Sequence, residues 1–131
     1  VYKRQTSEHS MEHAMSAYHQ ALPHGAGLIM ISVAYYQHFV DCHVCDERFI
    51  TMAKALGKAD VSCAQDFVDA LVQLQKDCGV YDLKMSGFGI LEEELDTLAK
   101  NARETMGGLF GADPCALSHE ECVAIFQKSY R

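Results

Sequence analysis

His9, His13 and His24 are the residues of this chain best suited to chemistry; they stand in His9-Ser-Met-Glu-His13 and in Leu22-Pro23-His24-Gly25. Imidazole is the commonest protein ligand for divalent transition metals. An i, i+4 pair on a helix sets two imidazoles on one face, as neighbouring ligands or as a ligand beside a proton carrier. His24 falls at a helix start, where the helix dipole disfavours imidazolium and so favours the neutral, ligating form. The turn over residues 20–23 can bring His24 back toward His9 and His13. A stable metal site usually needs three or four ligands, so the expectation is a site completed by residues outside this sequence. The competing reading is a solvated helix face, since seven histidines in 131 residues give such a pair by chance.

Six cysteines stand at 42, 45, 63, 78, 115 and 122. With a helical pattern and no export signal, the expectation is free thiols in a reducing cytoplasm rather than disulfide staples. Cys42-His43-Val44-Cys45 is a C-x-x-C pair, which elsewhere makes a redox dithiol or half a zinc site. No second pair follows at ligand spacing and no strand precedes it, so ordinary thiols are expected. His38 and His43 flank the end of the second helix, where histidine commonly answers the dipole.

The elements that position these groups all carry helical periodicity. Residues 2–18 form the first expected helix, with Met11, Ala14, Met15 and Tyr18 as its apolar stripe. His9, Glu12, His13 and Ser16 then fall on the opposite face, toward solvent or another domain. The second helix follows Pro23, whose missing N–H suits a first turn, and is apolar on most faces, as a central helix is. Gly25 and Gly27 near its start permit close backbone approach or plain helix packing. A third helix spans residues 45–56 on Phe49, Met52, Ala53 and Leu56, and stops at Gly57. A fourth opens with a capping box, Ser62 to Gln65, runs on Phe67, Ala70, Leu71 and Leu74, and ends at Gly79. Residues 80–89 read as a loop. A fifth helix covers residues 90–106, its first turn crowded by Glu92, Glu93 and Glu94, a solvated start that complements the dipole. A second capping box, Ser118 to Glu121, opens a last helix over residues 120–130. The methionines read as core filler, Tyr35 and Tyr36 as core-edge rings with hydroxyls outward, and His119 as exposed. The fold class is therefore all-α, a multi-helix bundle in one domain over residues 1–131.

Composition narrows the function classes. The net charge is −7, from 11 Lys plus Arg against 18 Asp plus Glu. No basic patch is interleaved with aromatics, so nucleic-acid binding is not expected. The longest apolar candidate, residues 26–39, is broken by Ser32, Gln37 and His38, so no membrane span is expected. The chain opens Val1-Tyr2-Lys3-Arg4 without an initiator Met or a secretory leader, which suits an excised piece of a cytoplasmic protein.

Taken together, Glu8-His9-Ser-Met-Glu-His13-Ala and Leu22-Pro23-His24-Gly25-Ala-Gly27-Leu28 resemble the iron-containing, group III alcohol dehydrogenases. The likeness continues through Glu47-Arg48-Phe49, Ala53-Lys-Ala-Leu56-Gly57, Asn101-Ala102-Arg103 and Asp113-Pro114 to the final helix. It covers essentially the whole chain and only the family's C-terminal helical domain, the dehydroquinate-synthase-like α domain. The resemblance implies a parent enzyme with an N-terminal nucleotide-binding α/β domain and a metal between the two domains. An upstream Asp-x-x-x-His pair, absent from this sequence, would supply two ligands, and by motif position His9 and His24 the other two. His13 would be the additional active-site histidine near the nicotinamide, a proton carrier. His19 is an alternative ligand, though the retained H-x-x-x-H and Pro-His-Gly patterns favour His9 and His24. Gly87-Phe-Gly89 does not make the cofactor's glycine-rich turn. The implied chemistry is hydride transfer between a small alcohol or aldehyde and NAD or NADP, at Fe(II) or Zn(II). An isolated domain of this kind would be inactive, and the apolar face left by its partner domain would favour homo-oligomers. Two other readings stand beside it. One is a stand-alone helical interaction module with incidental surface histidines. The other is a small metal-binding protein completed by dimerisation through His9, His13, His24 and Glu12.

Overall fold

The computed structural model describes residues 5–131, of which six α-helices and three short 3-10 turns make the whole regular structure. The helices are α1 (Ser7–Tyr18), α2 (His24–Asp41), α3 (Asp46–Ala55), α4 (Gln65–Asp77), α5 (Leu95–Met106) and α6 (His119–Ser129). No strand occurs among the described residues, so the all-α expectation holds. α1 packs between α5 and α2, α2 also meets α4 and α6, and α3 and α4 pair with each other.

The main core lies where α1, α2, α5 and α6 meet. Met11 and Met15 face Ile31 and Phe39, Leu98 and Ala102, and Ile125 and Phe126, all buried. Small Ala14, Ala99 and Ala102 let the helices approach closely. A second apolar cluster joins α2 to the α3–α4 pair. There Phe49 and Phe67 stack at 5.3 Å, and Tyr36 meets both rings edge-on, the geometries that the ring quadrupole favours.

Several boundaries differ from the sequence expectation. α1 begins at Ser7 with Thr6 as N-cap, not at residue 2, and residues 1–4 of that expected helix lie outside the described residues. Tyr18, placed on the buried stripe, is half-exposed at the helix's end, as are Leu56, the residue that caps α3, and Leu74 on α4. The Ser62–Gln65 capping box does not form. Asp66 takes its place, accepting from the Ser62 and Cys63 N–H groups at 2.7 and 2.9 Å and pairing with Lys58 at 2.6 Å. A carboxylate satisfies two orphan donors and a cation at once, which an amide cannot. Gln65 instead reaches Gln37 on α2. The Ser118–Glu121 box does form, with both hydrogen bonds in place. The fifth expected helix is a 3-10 turn, Glu92–Glu94, followed by α5, and the loop over residues 80–89 contains a 3-10 turn, Met85–Phe88. Tyr35 and Tyr36 turn their hydroxyls inward. Tyr35 donates to Asp113 Oδ1 at 2.9 Å and Tyr36 to Glu8 at 3.5 Å. Burial holds both phenols above the ordinary range, Tyr36 at about 12.

No helix of the described residues is long and apolar enough to cross a membrane. All six cysteines carry free thiols.

A candidate metal centre between the first two helices

α1 and the start of α2 bring the three histidines together. The His9 and His24 rings lie 5.7 Å apart between centroids, and those of His13 and His24 lie 5.3 Å apart. His9 and His13 share a face of α1 because they are four residues apart. His24, the first residue of α2, reaches them because the turn after α1 is tight: His19 caps α1, its N–H bonding Met15 O at 2.9 Å, and Leu22 N–H returns to His19 O at 2.9 Å.

Beneath the imidazoles lies Glu12, fully buried. The expectation that it faces outward with His9 and His13 is corrected here. One carboxylate oxygen accepts from Ser16 Oγ, and the other bonds His24 Nδ1 and lies 3.9 Å from His13 Nδ1. A buried carboxylate is tolerable only when charge-assisted hydrogen bonds replace its water, and Ser16 and His24 provide them. Room for it comes from α2. A Cβ on Gly27 would stand 2.7 Å from Glu12 Cγ. Gly27 is thus a close-approach glycine, whereas Gly25 faces open space.

The donor set fits a divalent transition ion. His24 commits Nδ1 to Glu12, which leaves Nε2 as its free nitrogen. A carboxylate behind a ligating imidazole is the arrangement that fixes tautomer and ring direction in metal sites. His9 Nδ1 is sealed from solvent with no hydrogen-bond partner, a cost that a bound cation removes. Its pKa lies below the usual histidine value, first from burial, then from the neighbouring His24 and His13, against an opposing pull from Glu12. The ring therefore favours its neutral, ligating form. Glu12, His13 and His24 offer donor atoms within 4.8 Å of one another, a group that does not include His9, whose ring lies 5.7 Å from that of His24. Since Glu12 is already bonded to His24 and Ser16, its part is that of a positioning group. Two or three donors leave a coordination shell incomplete.

The remaining polar groups sort themselves around this centre. His19 points away, bonding Glu94 at 3.1 Å, while Glu94 also accepts from Leu91 N–H at 2.7 Å. Glu94 thus anchors the turn after α1 as well as starting the next helix. Glu8, next to His9, is buried and its carboxyl is pushed up to about 7, by burial first, with the Tyr36 hydroxyl pulling it down and Asp113 adding to the rise. Asp113 Oδ1 accepts from Ser7 N–H at 3.0 Å as well as from Tyr35, which ties the start of α1 to the segment before α6. His119 is held by Asp96 at 2.8 Å and is only half-exposed. His43 bonds Asp46 at 3.0 Å, and His38 turns to Cys42.

The sequence and the fold both match known proteins. Residues 2–130 match the model of the Fe-containing alcohol dehydrogenase family, C-terminal. The solved structure of an archaeal halo-thermophilic alcohol dehydrogenase from a Red Sea brine pool is 32% identical, with a TM-score of 0.84. An alcohol dehydrogenase from Oenococcus oeni is 25% identical, with a TM-score of 0.81. A 1,3-propanediol oxidoreductase, at 19% identity and a TM-score of 0.82, shares the fold. Each match takes in 95% of this chain and 32% of the solved one, so the chain spans about a third of the length of these relatives. A comparison with the curated proteins gives no match.

Proposed function

Because this chain belongs to the iron-containing alcohol dehydrogenase family, over the family's C-terminal helical domain, we propose that it supplies part of the metal site of an NAD- or NADP-dependent alcohol dehydrogenase. The observation that carries the reading is the pairing of His9, with its sealed and partnerless Nδ1, and His24, oriented from behind by buried Glu12. Incidental surface histidines would have no buried carboxylate beneath them.

In this reading His9 and His24 hold a divalent ion, Fe(II) or Zn(II), and a nucleotide-binding domain outside this sequence contributes the other ligands and the nicotinamide. When bound, the ion supplies Lewis-acid polarisation of a small alcohol or aldehyde and the nicotinamide supplies the hydride acceptor or donor. Imidazole and carboxylate donors suit iron and zinc alike. Glu12 keeps the His24 ring fixed and, by accepting at Nδ1, makes Nε2 more basic. His13 is the proton carrier: its ring sits beside His24, its side chain is 42% exposed, and imidazole exchanges protons near neutrality. The site thus has one dry nitrogen at His9 and one group open to solvent at His13, an order suited to moving a proton outward.

The domain alone is inactive in this reading, and the whole enzyme is cytoplasmic. The isolated domain associates with its own kind through the face that the nucleotide domain would cover, and binds neither nucleic acid nor membrane. The test is chelation of the full-length enzyme. Removing the metal should abolish nicotinamide reduction by short alcohols, and Fe(II) or Zn(II) should restore it. Full activity in a metal-free preparation would overturn the proposal.

A further inference from the structure

A second cluster of ligating side chains lies away from the histidines of α1. His38 and Cys42 project from the last turn of α2, four residues apart, and Cys115 approaches them from the segment before α6. The three donor atoms lie within 4.8 Å of one another, with Cys42 Sγ 3.8 Å from His38 Nε2. Two ligands on one tetrahedral Zn(II), with Zn–S about 2.3 Å and Zn–N about 2.05 Å, stand about 3.6 Å apart. The sulfur–nitrogen pair is therefore already near ligand spacing. Glu121 Oε1 lies 4.0 Å from His38 Nε2 and offers a fourth donor.

The cluster is held from several sides. The segment carrying Cys115 is pinned at Asp113 by Ser7 and Tyr35 and at Leu117 by Arg103, which donates to its carbonyl. Glu121 is fixed by its capping box, its other oxygen accepting from Ser118 N–H at 2.7 Å. Cys42 is the C-cap of α2, its N–H bonding His38 O. Ligands that join a helix end to a segment more than seventy residues on (42 to 115) clip together parts of the chain distant in sequence.

We propose that His38, Cys42 and Cys115, with Glu121 or water as the fourth ligand, form a zinc site distinct from the one on α1. Two thiolates and an imidazole form a soft donor set, which selects Zn(II) over magnesium or calcium. Binding releases the two thiol protons to solvent. The C-x-x-C pair is not the unit: Cys45 is absent from the cluster, and the second sulfur comes from Cys115. The proposal does not depend on the dehydrogenase reading.

The test is Co(II) titration of the full-length protein, anaerobically, read by absorption. Thiolate-to-cobalt charge transfer in the near ultraviolet separates this site from the His9–His24 centre, to which no thiol of this sequence belongs, and the cysteine variants assign the band. Titration to saturation should develop that band with an amplitude of one thiolate-bound Co(II) per chain, and Zn(II) should bleach it. Cys42→Ser and Cys115→Ser should each abolish the band while Cys45→Ser keeps it, and His38→Ala should weaken Co(II) binding at least tenfold. Circular dichroism identifies any variant that has lost its helices, and the two serine variants test the same site independently. No thiolate band at saturating Co(II), or a band that survives in correctly folded Cys42→Ser and Cys115→Ser, overturns the proposal.

Discussion

Glu12 shows how much one side chain sets at the α1–α2 centre. It is buried, bonded to His24 and Ser16, and faced by Gly27. Glu12→Gln keeps the size but removes the charge, so the fold should persist while metal affinity falls roughly 10- to 100-fold; competition with a chromogenic chelator measures this. His13→Gln should leave metal content unchanged and slow turnover on the order of 100-fold, measured by steady-state kinetics beside metal analysis. The histidines were legible as a constellation because their types and spacing are unusual. The burial of Glu12 was not legible, because helical periodicity put it on the polar face. The small residue opposite it, Gly27, and the hydroxyl four residues along, Ser16, were the only hints, and both become informative once α1 and α2 are known to cross there.

At the scale of elements, the helix contacts decide what each local signal means. Gly27→Ala gains helix propensity of about 1 kcal/mol but drives a Cβ into Glu12, and overpacking of a filled site costs about 1–3 kcal/mol. The expected outcome is a net loss of up to about 2 kcal/mol in denaturant unfolding, together with weaker metal binding. Asp66 tests the start of α4. Its carboxyl lies well below the usual carboxylate range, first through Lys58 and then through the Cys63 and Ser62 N–H groups. A depressed carboxylate stabilises the fold above its unfolded value of 3.8 and loses that contribution as pH falls through the lower folded value. Asp66→Asn should therefore lower the Tm at pH 7, and the gap from wild type should close progressively below pH 3.8. The all-helical class, the order of the six helices and the stops at Gly57 and Gly79 could be read from period and turn chemistry. The cap at Asp66 and the inward tyrosine hydroxyls could not, because each answers a donor or acceptor supplied by a distant segment.

At the scale of the whole molecule, α1 is the member on which the account rests. It lies between α5 and α2, buries Met11 and Met15 on one side and carries His9 and His13 on the other. The family match identifies this bundle with the family's C-terminal domain, and the chain spans about a third of the solved alcohol dehydrogenases it resembles. The most direct measurement is made on the full-length enzyme: bound metal and nicotinamide reduction by a panel of short alcohols, compared for wild type, His9→Ala, His24→Ala and His19→Ala. His9→Ala and His24→Ala should lose metal and activity together, while His19→Ala, whose ring serves Glu94, keeps both. Wild-type metal content and activity in all three variants would show that the histidines of α1 and α2 hold no metal, and would contradict the account.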